Sequence, residues 1–206
     1  MLEERKALLI GCDFSSLVVD TLYEQAVGEG AAVACFYFDF AAREEQSPTA
    51  ILGSVLKQIV DGPDEVPERI VKAFQDRRRI IGSRRLALAE IVEFLQDISF
   101  SRCTFMCIDA LDECREEIRP ELLNSLNQIL QKSPGARLFL TGRPHIRREV
   151  VRFLDWRTSA ISITPTRGDI TIFLRAKLRE DAVLDAMDAN LEEEVIQNIL
   201  DTFPEM

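Results

Sequence analysis

Apolar positions along the chain fall into two periods. Val33-Ala34-Cys35-Phe36-Tyr37-Phe38, Thr104-Phe105-Met106-Cys107-Ile108 and Arg137-Leu138-Phe139-Leu140-Thr141 are short, nearly continuous runs rich in aromatic and branched residues. They predict strands buried on both faces. Lys6 to Ile10 and Ala160 to Ile163 predict two more, the latter weaker. Between them the spacing is helical. Phe14 to Val27 carries Leu17, Val18, Thr21 and Leu22, with Asp13 placed to cap it. Ser47-Pro48 opens a helix to Val60, since serine suits the cap and proline the first helical position. Pro67 to Arg78, Leu86 to Ile98 and Pro120 to Leu130 follow, the last ended by Pro134-Gly135. Asp169 to Arg179, with Ile170, Phe173, Leu174 and Leu178 on one face, and Leu191 to Leu200 complete the set. Strands alternating with helices predict an α/β fold, a parallel sheet with helices on both faces. No strand is predicted after Ile163. The expected division is therefore a core over 1–165 and, over 166–206, the beginning of a small helical domain.

Composition narrows the class. The 206 residues are 47% hydrophobic and 29% charged, with a formal net charge of −10. That charge is concentrated: Glu180 to Met206 holds no lysine or arginine, and without it the chain is close to neutral. An acidic balance excludes a general nucleic-acid surface, which needs clustered lysine and arginine. The one basic cluster, Arg77-Arg78-Arg79 with Arg84-Arg85, reads as a solvated connection. No apolar run is long enough to span a bilayer, and a cytoplasmic location is expected. Cys12, Cys35, Cys103, Cys107 and Cys114 form no C-x-x-C pair, and His145 is the only histidine. Reduced thiols are expected, rather than zinc or a disulfide framework. The abrupt apolar end at Phe203-Pro204-Glu205-Met206 reads as a fragment of a longer protein.

The chemistry concentrates at Ile108-Asp109-Ala110-Leu111-Asp112-Glu113-Cys114. A buried strand delivers Asp109 to its C-terminal tip, where open α/β sheets place their ligands, and two further carboxylates follow within one turn. In P-loop NTPases such a strand is the Walker B element: its first aspartate holds magnesium and a following acid orients the attacking water. The next strand ends in Thr141-Gly142-Arg143-Pro144. A permanently charged, planar guanidinium there suits a γ-phosphate sensor. His145 reads as a bystander.

The series FYFDF (Phe36 to Phe40), IDALDEC (Ile108 to Cys114), LFLTGRP (Leu138 to Pro144) and GDITIFLRAKL (Gly168 to Leu178) resembles the NACHT ATPase of large fungal signalling proteins. It is similar also to the nephrocystin-3 type N-terminal ATPase. The resemblance covers nearly the whole chain. It implies Asp109 as the magnesium residue, Asp112 and Glu113 as the acidic hydrolytic pair, and Thr141 and Arg143 at the nucleotide. It implies ATP and Mg2+ as cofactors, self-association through the NTPase domain, and a downstream ankyrin, WD40 or tetratricopeptide array, none of which lies in this sequence. With the right-handed crossover rule it also implies a strand order. The strand at Val33 should lie beside that at Thr104, then the one ending at Thr141, then the one at Lys6.

The front departs from the pattern. A P-loop reads G-x-x-x-x-G-K-[ST], its backbone amides and lysine holding phosphates. Here Ser15-Ser16-Leu17-Val18-Val19-Asp20 looks like the helix after that loop, yet Gly11-Cys12-Asp13-Phe14 precedes it, without Gly-Lys-Thr. Asp13 puts a negative charge where the helix start should attract phosphate. Weak or absent ATP binding by this chain is expected. The alternative reading is a non-catalytic interaction module that keeps the fold.

Overall fold

The computed structural model describes residues 7–10, 15–42, 44–62, 68, 71–72, 86–154, 158–162, 166–180 and 189–202. Five strands form one wholly parallel sheet: β1 (Ala7–Ile10), β2 (Ala32–Tyr37), β3 (Thr104–Asp109), β4 (Ala136–Thr141) and β5 (Thr158–Ala160), in the order β2-β3-β4-β1-β5. The order and the parallel pairing are those expected from the sequence. β5 ends at Ala160, where the run read to Ile163 begins, and Ile161 and Ser162 lie outside any strand. The helix read at Pro67 to Arg78 falls almost wholly outside the described residues, as do Lys6, the segment Gly11 to Phe14 and Phe203 to Met206.

Around the sheet run α1 (Ser15–Glu29), α2 (Pro48–Val60), α3 (Leu88–Ser101), α4 (Arg119–Lys132) and α5 (Arg147–Leu154). The main core joins β2, β3 and β4 to the inner faces of α2, α3, α4 and α5. Helix α2 buries Ile51, Leu52, Val55, Leu56 and Ile59 at helical spacing. Ser47 caps it by accepting from the amide of Ala50 at 3.2 Å, with Pro48 in the first turn. Helix α1 covers the other face, where Val19 and Ala26 pack with Val33, Cys107 and Phe139. Its inner stripe also includes Val18 and Leu22, whereas Leu17 is 63% exposed. Thr21 turns outward and donates its hydroxyl to the carbonyl of Leu17 at 2.8 Å. The expected face was thus rotated by about one residue.

Strand β2 is a sheet edge, and its outward backbone at Cys35 is paired by a side chain. Gln58 of α2 accepts from the Cys35 amide at 2.9 Å and donates to its carbonyl at 2.8 Å. At the opposite end of the sheet from the acidic residues, Gly135 donates to the carbonyl of Ser99 at 3.0 Å, satisfying one of the open carbonyls at the end of α3. A Cβ at Gly135 would lie 2.3 Å from the carbonyl oxygen of Arg102.

The chain divides into two compact units, Met1–Ser162 and Ile163–Met206. In the second, α6 (Arg167–Glu180) and α7 (Ala189–Thr202) are tied by Arg167 to Asp201 and Arg175 to Glu193, both at 2.9 Å. Thr166 and Asp169 cap α6 through reciprocal hydrogen bonds, which hold the Asp169 carboxyl below its usual range. Ile170, Leu174 and Leu178 are half-buried, but Phe173, read on the same face, is 60% exposed, and the neighbouring Ile172 is exposed too. Among the described residues no helix is long and apolar enough to cross a membrane.

Candidate functional site

Because all strands run the same way, their C-terminal ends gather at one edge of the sheet. Phe105-Met106-Cys107-Ile108 bring Asp109 there, and β4 brings Thr141 beside it. The Thr141 hydroxyl donates to Asp109 Oδ1 at 2.5 Å and accepts from the amide of Ala110 at 2.8 Å. Ile10, the last residue of β1, pairs with Thr141 in register, so β1 ends at the same edge. The amide of Phe38 donates to the carbonyl of Asp109 at 3.2 Å, which places the Asp39-Phe40 turn there too.

Ala110 lies in the left-handed region at φ 55°, ψ 45°, the only non-glycine residue with positive φ among those described. Such a conformation costs about 1–2 kcal/mol for an L-residue. Three contacts hold it: the Thr141 hydroxyl on its amide, Glu113 donating to its carbonyl at 2.9 Å, and the fully buried Leu111 behind it. The kink turns the short 3-10 helix Leu111–Glu113 across the strand ends. Asp112 then meets the Gly142-Arg143 turn: the Arg143 amide donates to Oδ1 at 3.2 Å and the guanidinium Nε lies 3.4 Å from Oδ2. The Asp112 side chain is 7% exposed and that of Arg143 73%. A Cβ at Gly142 would lie 2.6 Å from the tip of the Ile146 side chain, so the glycine leaves room for Ile146 under the turn.

The turn is fastened from below by Arg119, the first residue of α4, which the sequence reading did not single out. Its Nη2 donates to the carbonyls of Cys114 at 2.6 Å and Asp112 at 3.4 Å, and its Nη1 pairs with Glu149 of α5 at 2.8 Å. Arg119 is buried. Nothing in the local sequence marks it, because its partners are backbone carbonyls and a carboxylate thirty residues away.

Beside the turn opens a cleft of about 700 Å³, lined by Asp112, Glu113, Arg143, His145, Phe40 and the Arg115–Glu44 ion pair among others. The candidate residues therefore fall into two contacting pairs, Asp109 with Thr141 and Asp112 with Arg143. Glu113 faces the cleft near the second; Asp109 and Thr141 do not line it. His145 is exposed at its rim. Cys114 is also at the cleft, but burial pushes its thiol up to about 11, so it stays protonated at neutral pH.

Among the described residues no group of three or more His, Cys, Asp or Glu side chains could hold a metal ion by itself. A magnesium ion that arrives with phosphates needs only one or two carboxylates. Asp109 fits that demand: it is half-buried at the strand tip, and among the described residues only its Oδ1 accepts a side-chain hydrogen bond.

The family model for nephrocystin 3, N-terminal, matches residues 14–143. The chain belongs to this family. The nephrocystin 3 N-terminal match runs from the start of α1 to the Arg143 turn and so contains both carboxylate pairs. Among solved structures the fold is similar to a Walker-type ATPase of Pyrococcus abyssi, with a TM-score of 0.53, 16% identity, and coverage of 95% of this chain and 59% of that one. It is similar also to Cdc6p from Pyrobaculum aerophilum (TM-score 0.55, 13% identity, 92% and 47% coverage). A third is the Aeropyrum pernix Orc1 protein, solved in complex with DNA (TM-score 0.51, 19% identity, 85% and 44% coverage). The chain spans about half the length of these proteins. No curated protein matches it. The fold is that of the P-loop ATPases.

Proposed function

We propose that the chain is the NTPase unit of a nucleotide-dependent signalling switch of the NACHT, or STAND, type, as carried by large fungal proteins. The observation that carries this reading is the acidic turn itself. A strand tip presents Asp109, a strained Ala110 redirects the chain, and the next strand answers with Thr141 and Arg143. That arrangement is costly to build for stability alone and is suited to a nucleotide's phosphates.

In this reading Asp109, steadied by Thr141, would hold magnesium, which when bound supplies charge neutralisation at the phosphates. Asp112 positions Arg143 through its amide and guanidinium, leaving the exposed fork free to meet a γ-phosphate. Glu113, facing the cleft, is the remaining acid for orienting water. Residues 166–206 would begin a helical lid, and the complete protein would self-associate in its ATP state in the cytoplasm.

Gly11-Cys12-Asp13-Phe14 offers no lysine for the phosphates. Each missing charge-assisted hydrogen bond removes roughly 1.5–3 kcal/mol, and each ~1.4 kcal/mol is tenfold in affinity. The unmodified chain is therefore expected to bind labelled ATP or ADP weakly, and not to hydrolyse ATP measurably. Inserting a Gly-Ala-Gly-Lys-Thr-type loop between Ile10 and Phe14 should restore magnesium-dependent binding, and Asp109→Ala in that chain should abolish the magnesium dependence. A loop-restored chain that still fails to bind would favour a non-catalytic interaction module. That second reading draws support from Gly11-Cys12-Asp13-Phe14, which puts a carboxylate where a P-loop puts its lysine and hydroxyl.

A further inference from the structure

Away from the acidic turn, two thiols stand side by side. Cys35 on β2 and Cys107 on β3 are partners in register, and both pack on the sheet face beneath α1. Registered residues of neighbouring parallel strands point the same way and are about 4.8 Å apart, within the ~4.4–6.8 Å Cα separation of disulfides. Each thiol is the first influence on the other's protonation. Their exposure is unequal: Cys107 is 2% exposed, whereas Cys35 is half-buried. Tyr23 of α1, itself partly open to solvent, is near enough to influence the Cys35 thiol. Interaction with Cys107 and then with Tyr23 holds the Cys35 thiol below its usual range, against the opposing effects of burial and Asp20. Gln58 grips the Cys35 backbone through both amide and carbonyl, so the strand is fixed where the sulfur meets its neighbour.

We propose that Cys35 and Cys107 form a reversible dithiol–disulfide site for low-molecular-weight disulfides such as glutathione disulfide, Cys35 attacking and Cys107 resolving. The Cys35 thiolate attacks one sulfur of the oxidant. That S–S bond breaks, and the first glutathione leaves, taking up the proton Cys35 has lost. The Cys107 sulfur then attacks the Cys35 sulfur of the mixed disulfide. The intramolecular bond forms, and the second glutathione leaves with the proton of Cys107. The chain loses two electrons and two protons, and one glutathione disulfide becomes two thiols. The bond would fasten the edge strand to the strand that carries Asp109. The other described cysteines are poor competitors. Cys114 is buried in the main core rather than on this face of the sheet, and Cys103 precedes β3, about 13 Å of extended chain before Cys107.

The test is to treat the reduced full chain with glutathione disulfide, quench by alkylation and map peptides by mass spectrometry. A linked Cys35–Cys107 peptide that disappears with dithiothreitol is expected. Cys107→Ser should instead accumulate glutathione on Cys35, and Cys35→Ser should leave Cys107 as a free thiol. Because either substitution could disturb folding, the unmutated reduced chain is also probed with one equivalent of phenylarsine oxide, which bridges adjacent thiols. Native mass spectrometry should show one retained phenylarsine group, absent after prior oxidation by glutathione disulfide. Persistent glutathione on Cys35 in the unmutated chain, equal to that in Cys107→Ser, would overturn the proposal. So would modification of Cys103 ahead of Cys35, or failure to retain the arsenical.

Discussion

Single residues at the acidic turn carry unequal energetic weight. Ala110 holds a left-handed conformation that glycine adopts freely, so Ala110→Gly relieves about 1–2 kcal/mol of strain while costing about 0.4–1 kcal/mol of unfolded-state entropy. The net expectation is a gain of up to about 1.6 kcal/mol in urea unfolding. Ala110→Val, β-branched, should lose stability at the same position. Arg143 and Arg119 both pair with carboxylates but differ in setting. The Arg143 side chain is 73% exposed, and Arg143→Ala should cost no more than about 1 kcal/mol after solvent screening. Arg119 is 6% exposed and holds two backbone carbonyls as well as Glu149; Arg119→Ala should cost about 3 kcal/mol in the same assay. Equal losses for the two variants would contradict this account of the turn.

At the scale of elements, the central strands β3 and β4 were legible because each is a largely apolar run that the fold buries; β5, Thr-Ser-Ala, carries no such signal. The capped start of α2 was legible for a chemical reason: serine then proline satisfies the first turn. The packed face of α1 was not. Leu17 and Thr21 have the spacing of an inner stripe, but Val19, Leu22 and Ala26 have it equally, and only the sheet decides between them. The placement of Asp109, Asp112 and Arg143 at one edge of the sheet was legible because each closely follows, or ends, a predicted strand. Arg119 was not, since its role arises where α4 meets the carbonyls of a turn folded back over it. Gly135 illustrates how tightly elements are joined at the other end of the sheet. Gly135→Ala would drive its Cβ into the backbone carbonyls of Arg102 and Ser99, with no flexible side chain to yield. A loss of about 1–3 kcal/mol is expected, measured by thermal or urea unfolding.

For the molecule as a whole, the main core lies entirely within Met1–Ser162. A chain ending at Ser162 should therefore keep native-like circular dichroism and unfold cooperatively; a broad, gradual transition would show that the core depends on the second unit. The sheet of that core also has an edge to protect, and here the grip of Gln58 on Cys35 has a consequence for crowding. A strand from another molecule arriving at β2 would meet a backbone whose donor and acceptor at Cys35 are already engaged. It would have to break two hydrogen bonds to gain two, leaving little to drive sheet-on-sheet growth. Gln58→Leu removes that insulation: the same encounter would gain both bonds and lose neither, and concentrated solutions should then scatter light and bind thioflavin where the parent chain stays clear.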